Sequence, residues 1–203
     1  MAIFIIKGNK VSKSKINKFR NEKELQNLFE SNLEEIFGVN FLASEFTTTH
    51  GGRIGTLGID ENNSPVIIEY KESEKDNVIN QGLFYLDWLI DHKGDFEMLV
   101  QNKLGKSIKT NWDEPRLILV AQSYNEYDKY AVNRISENIE LWRYALYEGD
   151  VLHVERISLP KSIKKEIQKK QTKIVFKEYS YANHLSDKSQ QIKDLFSRLR
   201  EEI

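Results

Sequence analysis

The chain has no cysteine. That excludes a disulfide framework, a thiolate metal centre and a cysteine nucleophile. Its histidines, His50, His92, His153 and His184, stand apart and form no metal-ligand spacing. No apolar run approaches the roughly 18 residues of a membrane span. The opening MAIFIIKGNK is too short for the apolar core of a signal peptide. There is no G-x-S-x-G run and no Walker A run, so a serine hydrolase or an NTPase is not supported. Gly51-Gly52 reads as a turn, not a phosphate cradle. No repeat period is visible. The expectation is a soluble, cytoplasmic protein without a membrane partner.

What is present is enough for one full domain and an appendage: 203 residues, 39% hydrophobic and 11% aromatic, under a polar surface in which 30% of all residues are charged. The net charge of −1 argues against a uniform coat of nucleic acid. The distribution says more. Residues 7–23 carry seven Lys or Arg and one Glu, and residues 161–177 carry seven Lys and one Glu, which leaves the rest of the chain at about −13. Such basic segments are either arms that neutralise phosphates or solvated linkers.

Residues 2–6 read as a strand, followed by a Lys/Ser-rich connection to about residue 20. A helix is expected over residues 22–37. Leu25, Leu28, Phe29, Leu33, Ile36 and Phe37 share one face there, Asn21 is the N-cap and Gly38 the stop. Glu24 occupies a capping-box position. Residues 39–48 read as a strand with Glu45 facing solvent. Residues 78–92 read as a central helix, apolar nearly all round and therefore buried. Gln81 and Tyr85 share a face of it, and Gly82 permits close packing against the neighbouring hairpin. Further elements are expected at 95–104 (helix), 115–121 (buried strand) and 125–135 (helix, with Tyr127, Tyr130, Ala131 and Ile135 at helical spacing), then a closing hairpin at 139–147 and 150–157. Beyond Pro160 come a basic linker, a short strand at 174–179 and a last helix over 187–203. The expected division is 1–20, an N-terminal strand and basic connection; 21–160, the main domain; and 161–203, a linker and helix that either open a further domain or dock on the core or on another copy.

The centre of the chain is a hairpin. Residues 52–59 read as a half-buried strand with Ile54, Leu57 and Ile59 apolar. Residues 60–65 (DENNSP) are turn formers, and 66–70 (VIIEY) form a short buried strand. Glu69 and Lys71, two apart, project from one face. A buried strand has no structural need for a carboxylate beside an ammonium, although the two make a sensible ion pair. With this hairpin the chain resembles the PD-(D/E)XK nuclease superfamily, in particular its NucS-type and RecB-like endonuclease domains. Glu69-Tyr70-Lys71 matches the E-x-K element, Gln81 and Tyr85 match the Q-x-x-x-Y helix motif, and Glu24 falls where the RecB-like branch has a helix acid. The resemblance covers roughly residues 20–160. It departs at one position: the metal-binding Asp of the first hairpin strand is replaced here by Gly55. Asp60 does not substitute. If residue i faces about 125 − i, position 55 lies beside Glu69 to Lys71, whereas Asp60 lies at the loop end, roughly 13–17 Å away at about 3.3 Å per residue.

The resemblance implies an α/β, restriction-endonuclease-like core, a mixed central sheet flanked by helices, with an extra C-terminal helical segment. It implies hydrolysis of the phosphodiester backbone of nucleic acid, DNA first, with Mg²⁺ or Mn²⁺. Glu69 and the Tyr70 carbonyl would hold the ion, Gly55 marking the missing ligand. Lys71 would orient water or meet developing charge, Gln81 and Glu24 would support the catalytic groups, and Arg53, Tyr85 and Lys71 would contact the nucleic acid. Loss of a charged ligand leaves the ion weakly held or absent, so weak or no cleavage is expected. The alternatives are a catalytically silent nucleic-acid-binding or assembly subunit, and an oligomerising scaffold; a homodimer is left open.

Overall fold

After its first residue the strand β7, Arg116–Ala121, is apolar and buried at every position. A strand apolar on both faces belongs inside a sheet between parallel neighbours, and there it lies. It pairs in parallel with β6, Pro65–Lys71, on one side and with β8, Asn138–Tyr147, on the other. The computed structural model describes residues 2–71, 78–158, 185 and 188–201. In it β4 (Val39–Thr47), β5 (Arg53–Asp60) and β6 form an antiparallel meander, and β9 (Val151–Arg156) returns along β8. With the short β3 (Ile16–Asn17), the seven-stranded mixed sheet has the order β3-β8-β7-β6-β5-β4, with β9 also on β8. Two further strands, β1 (Phe4–Lys7) and β2 (Lys10–Lys13), form a separate ribbon.

Helices cover both faces. On one, Leu25 and Phe29 of α1 (Glu22–Glu30) and Leu33 and Phe37 of α2 (Leu33–Phe37) pack on Val66, Ile68, Tyr70, Ile118 and Val120. On the other, α3 (Val78–Asp91), α4 (Lys93–Leu104) and α5 (Glu126–Arg134) pack on Ile67, Leu117, Leu119, Ile139 and Leu141. Alternate residues of β6 thus serve different cores, and Glu69 and Lys71 fall in the row that faces α3. The chain divides into two units, Met1–Lys161 and Ser162–Ile203. The second contains α6, Gln190–Glu201, whose Ile192, Leu195 and Leu199 are exposed. No described helix is long and apolar enough to cross a membrane.

The main elements fall where their periodicity puts them, and the differences have local causes. The Lys/Ser-rich connection before residue 20 contains β2 and β3, because antiparallel partners at Phe4–Lys7 and Leu146–Tyr147 supply hydrogen bonds that its polar composition conceals. The first helix breaks at Ser31–Asn32, whose side chains bond back to the Asn27 and Leu28 carbonyls. α3 is not buried all round: Phe84 and Ile90 face outward. Gly82 packs on β7 rather than on the hairpin, since a Cβ there would stand 2.8 Å from Leu117 Cδ2. α5 buries Val132 and exposes Tyr127 and Tyr130. The expected connection at 72–77, the basic linker and the strand at 174–179 lie outside the described residues.

Candidate active site

The turn between β5 and β6 sets the site. Asp60 N–H donates to the Ser64 carbonyl, Asn63 N–H to the Asp60 carbonyl, and Asn63 adopts φ +60°. That is a three-residue loop closed by a left-handed residue, shorter than the run of turn formers at 60–65, because Asp60 belongs to β5 and Pro65 to β6. The Asp60 carboxylate holds it by accepting the N–H groups of Asn62 and Ser64, each at 2.9 Å. The pairs Thr56↔Ile68 and Gly58↔Val66 fix the register, one residue from the expected pairing, and set Gly55 opposite Glu69. Gly55 N–H donates to Glu69 Oε1 at 2.9 Å. A Cβ on Gly55 would lie 3.6 Å from Glu69 Oε2 and 3.1 Å from the Ile68 carbonyl. Across the other edge of β5, Glu45 stands level with Gly55, between the pairs Ser44↔Thr56 and Phe46↔Ile54, with φ +52°. A glutamate in the left-handed region is held there by its surroundings at a conformational cost. Its carboxylate pairs with Arg53 at 3.4 Å.

Glu69 is 4% exposed. Burial pushes its carboxyl up from 4.5 to about 7; the Gly55 N–H and Lys71 oppose the shift, and Glu22 and Glu45 add to it. Lys71 pairs with Glu22 at 3.8 Å. Glu24, the helix acid expected in the site, is turned away from it. As the third residue of α1 it donates its N–H to the side-chain oxygen of the N-cap Asn21, and its carboxylate folds back to accept Arg20 N–H at 2.6 Å. Glu22, at the first helical position, takes the place beside Lys71. Gln81 donates to Tyr85 Oη at 3.4 Å, and Tyr85 Oη also accepts Arg53 N–H at 3.2 Å. The structure therefore brings Glu69, Gly55 and Lys71 together in one group and links Gln81, Tyr85 and Arg53 in a second along the same strand. Gln26 of α1, not singled out in the sequence, grips the Gly55 carbonyl at 2.7 Å and also donates to Glu30 and Ser44. Thr56 ties Glu30 to the Tyr70 hydroxyl. Both polar backbone groups of Gly55 are thus held by side chains.

Among the described residues the donor set does not fit a firmly bound divalent ion. Among the described residues no three His, Cys, Asp or Glu side chains come together as a metal-holding group. The buried Glu69 carboxylate is half-neutral near pH 7 and already accepts an N–H, whereas Mg²⁺ requires hard, charged oxygens in octahedral array.

No family model matches the chain. An uncharacterized protein of Haemophilus influenzae is 33% identical to it over 214 residues, an alignment that takes in 100% of this chain and 70% of that one. The chain belongs to the family of that protein. Among solved structures, it is similar to a repair endonuclease from Pyrococcus abyssi (17% identity, TM-score 0.36, 68% of this chain and 63% of that one). It is also similar to EndoMS in a complex with dsDNA (20% identity, TM-score 0.37, 64% and 50%) and to EndoMS in apo form (17%, 0.34, 68% and 62%). The chain spans less than two thirds of each of those three structures. Of the residues around Glu69 that sequence reasoning passed over, Glu22 and Gln26 carried a usable signal. Both are polar residues on α1 that neither the capping position nor the apolar face of the helix accounts for. The strained backbone at Glu45 carried none.

Proposed function

We propose that this chain is an endonuclease-like protein of PD-(D/E)XK type that engages the phosphodiester backbone of nucleic acid, DNA first, and that Gly55 weakens or silences its cleavage. The observation that supports this most is the juxtaposition of Glu69 and Gly55. Position 55 points its absent Cβ at the Glu69 carboxylate, 3.6 Å from Oε2. An aspartate there would complete a pair of carboxylates facing one another across a hairpin, with Lys71 two residues along the same strand. As written, the residues bind and orient rather than cut. Lys71 presents an ammonium to a phosphate oxygen, and Arg53 and Tyr85 line the strand that leads to it. Glu69, with a carboxyl near pH 7, is a weak base for one water.

The test pairs the chain as written with its Gly55→Asp variant on labelled single- and double-stranded DNA in Mg²⁺ and in Mn²⁺. Cleavage is expected from the variant alone, on the order of 10³-fold faster or more, and a chelator abolishes it. Rapid multiple turnover by the chain as written would overturn the reading. Equal cutting by both would mean that Glu22 or Glu45 supplies the missing charge. The basic N-terminal segment favours a second reading, a binding subunit without catalysis. It predicts salt-sensitive, metal-independent association with DNA and no cutting by either protein.

A further inference from the structure

The ribbon β1–β2 lies outside the seven-stranded sheet, and every residue of both strands is exposed. Its register is Phe4↔Lys13, Ile5↔Ser12, Ile6↔Val11 and Lys7↔Lys10. Strand alternation therefore gives one face Phe4, Ile6, Val11 and Lys13, and the other Ile5, Lys7, Lys10 and Ser12. Among the described residues no third strand pairs with it; a lone two-stranded ribbon is marginal in water, and Phe4, Ile6 and Val11 are 55%, 73% and 63% exposed. The segment is also one-sided in charge. Residues 2–20 hold six Lys or Arg (Lys7, Lys10, Lys13, Lys15, Lys18 and Arg20) and no acid, so the rest of the chain stands at −7.

The root of the ribbon is fixed. Ser14 N–H donates to the Ile3 carbonyl, the Ser14 hydroxyl to the Glu148 carbonyl at 3.2 Å, and Glu148 N–H to the Lys15 carbonyl at 2.9 Å. Residues 142 and 143 pair with both β7 and β9, and residues 146 and 147 with both β3 and β9. β3 must then lie on the β7 side of β8, in line with β7 beyond its carboxyl end. Lys71, Ala121 and Arg143 form one row across β6, β7 and β8. Tyr147, four residues further along β8, carries Ile16 of β3. At about 3.3 Å per residue and about 4.8 Å per strand, the root stands roughly 15 Å from Lys71, at the same pole of the sheet.

We propose that β1–β2 is a basic grip for double-stranded nucleic acid, which it holds across the pole where Glu69 and Lys71 lie. This rests on the reading of that pole as a backbone-binding site. A duplex carries one charge per about 1.7 Å of its axis, so one duplex spans both features with charges to spare. A two-stranded ribbon fits a major groove about 12 Å wide, where lysines meet phosphates and apolar side chains meet thymine methyls. Outside the two basic segments, 7–23 and 161–177, the chain carries about −13 and repels the same duplex.

The test is fluorescence anisotropy of a labelled 24-base-pair duplex, from about 50 to 300 mM salt. It uses the full chain, a Lys7→Ala/Lys10→Ala/Lys13→Ala variant and a Lys103→Ala/Lys106→Ala/Lys109→Ala control of equal charge. The ribbon variant is expected to bind on the order of tenfold more weakly at 100 mM salt, with a log K against log salt slope shallower by about 2–3, from about 0.9 per lost phosphate contact. The control retains the parent slope. Equal loss in both variants, no loss in the ribbon variant, or no duplex binding by the full chain would each overturn the proposal. A Phe4→Ser/Ile6→Ser variant examined by sedimentation covers the other occupant. If it converts a dimer to a monomer while duplex affinity stands, a second copy covers the apolar face and the grip is refuted. Cleavage by Gly55→Asp reads the Glu69 site separately: cutting with no ribbon effect keeps the site and removes the grip.

Discussion

Glu69 is buried within the sheet and accepts the Gly55 N–H, and the consequence is measurable without any activity. Its carboxyl titrates at about 7 in the folded protein and near 4.5 when exposed. Below 4.5 the group is neutral in both states and costs nothing. Between 4.5 and 7 the unfolded chain releases the proton that the folded chain keeps, and stability falls as pH rises. Above 7 the full penalty stands, about 3 kcal/mol for a shift of that size. Glu69→Gln keeps an acceptor for Gly55 N–H and removes the charge. It is expected to stabilise the fold by about 3 kcal/mol at pH 8 and to change little at pH 4, read from urea melts at the two pH values. A variant less stable than the parent at pH 8 would show that the charged form has partners that offset its burial.

At the scale of elements, the site depends on how α3 meets the turn between β4 and β5. Gly52 has φ +86°, and a Cβ there would lie 2.7 Å from Tyr85 Oη. Gly52→Ala is therefore strained twice, in its backbone and against the hydroxyl that receives Arg53 N–H, and should cost about 2 kcal/mol in a thermal or urea melt. Elements of this kind were legible in the sequence because their signals are local. The apolar spacing of α1 and α3, the caps at Asn21 and Gly38, and the turn formers between β5 and β6 each state their own structure. The pairing of Glu69 with position 55 followed from counting along one hairpin. What could not be read depends on partners distant in sequence. β2 and β3 are polar strands made by their neighbours, Tyr127 and Tyr130 share the spacing of a core face and lie outside it, and Glu22 displaces Glu24 only because Lys71 approaches one side of the helix.

In the seven-stranded sheet the Glu69 group and a buried ion-pair cluster stand at opposite ends of the strands. Away from Glu69, Arg116 joins Asp60 at 3.4 Å and Glu140 at 2.9 Å, while Glu140 also takes Arg156 at 3.2 Å and the Trp142 indole N–H at 3.0 Å. Removal of one member leaves buried charge without its counterion, at about 3–5 kcal/mol. Arg116→Met should lower stability by about that amount and leave duplex affinity, normalised to folded protein, unchanged in the anisotropy titration. The strands that this cluster joins have a further bearing, on the time the chain takes to fold. β5 and β6 close through a three-residue loop, but β6 finds β7 only after the chain has passed through α3 and α4, and β8 finds β7 only after α5. Ring closures of that length precede the contacts that reward them, which makes parallel pairing slow. The meander β4–β6 forms early, and its β6 edge, which bears Glu69 and Lys71, is open until β7 pairs with it. Until β7 arrives, that edge is free to pair with the same strand of another chain emerging beside it.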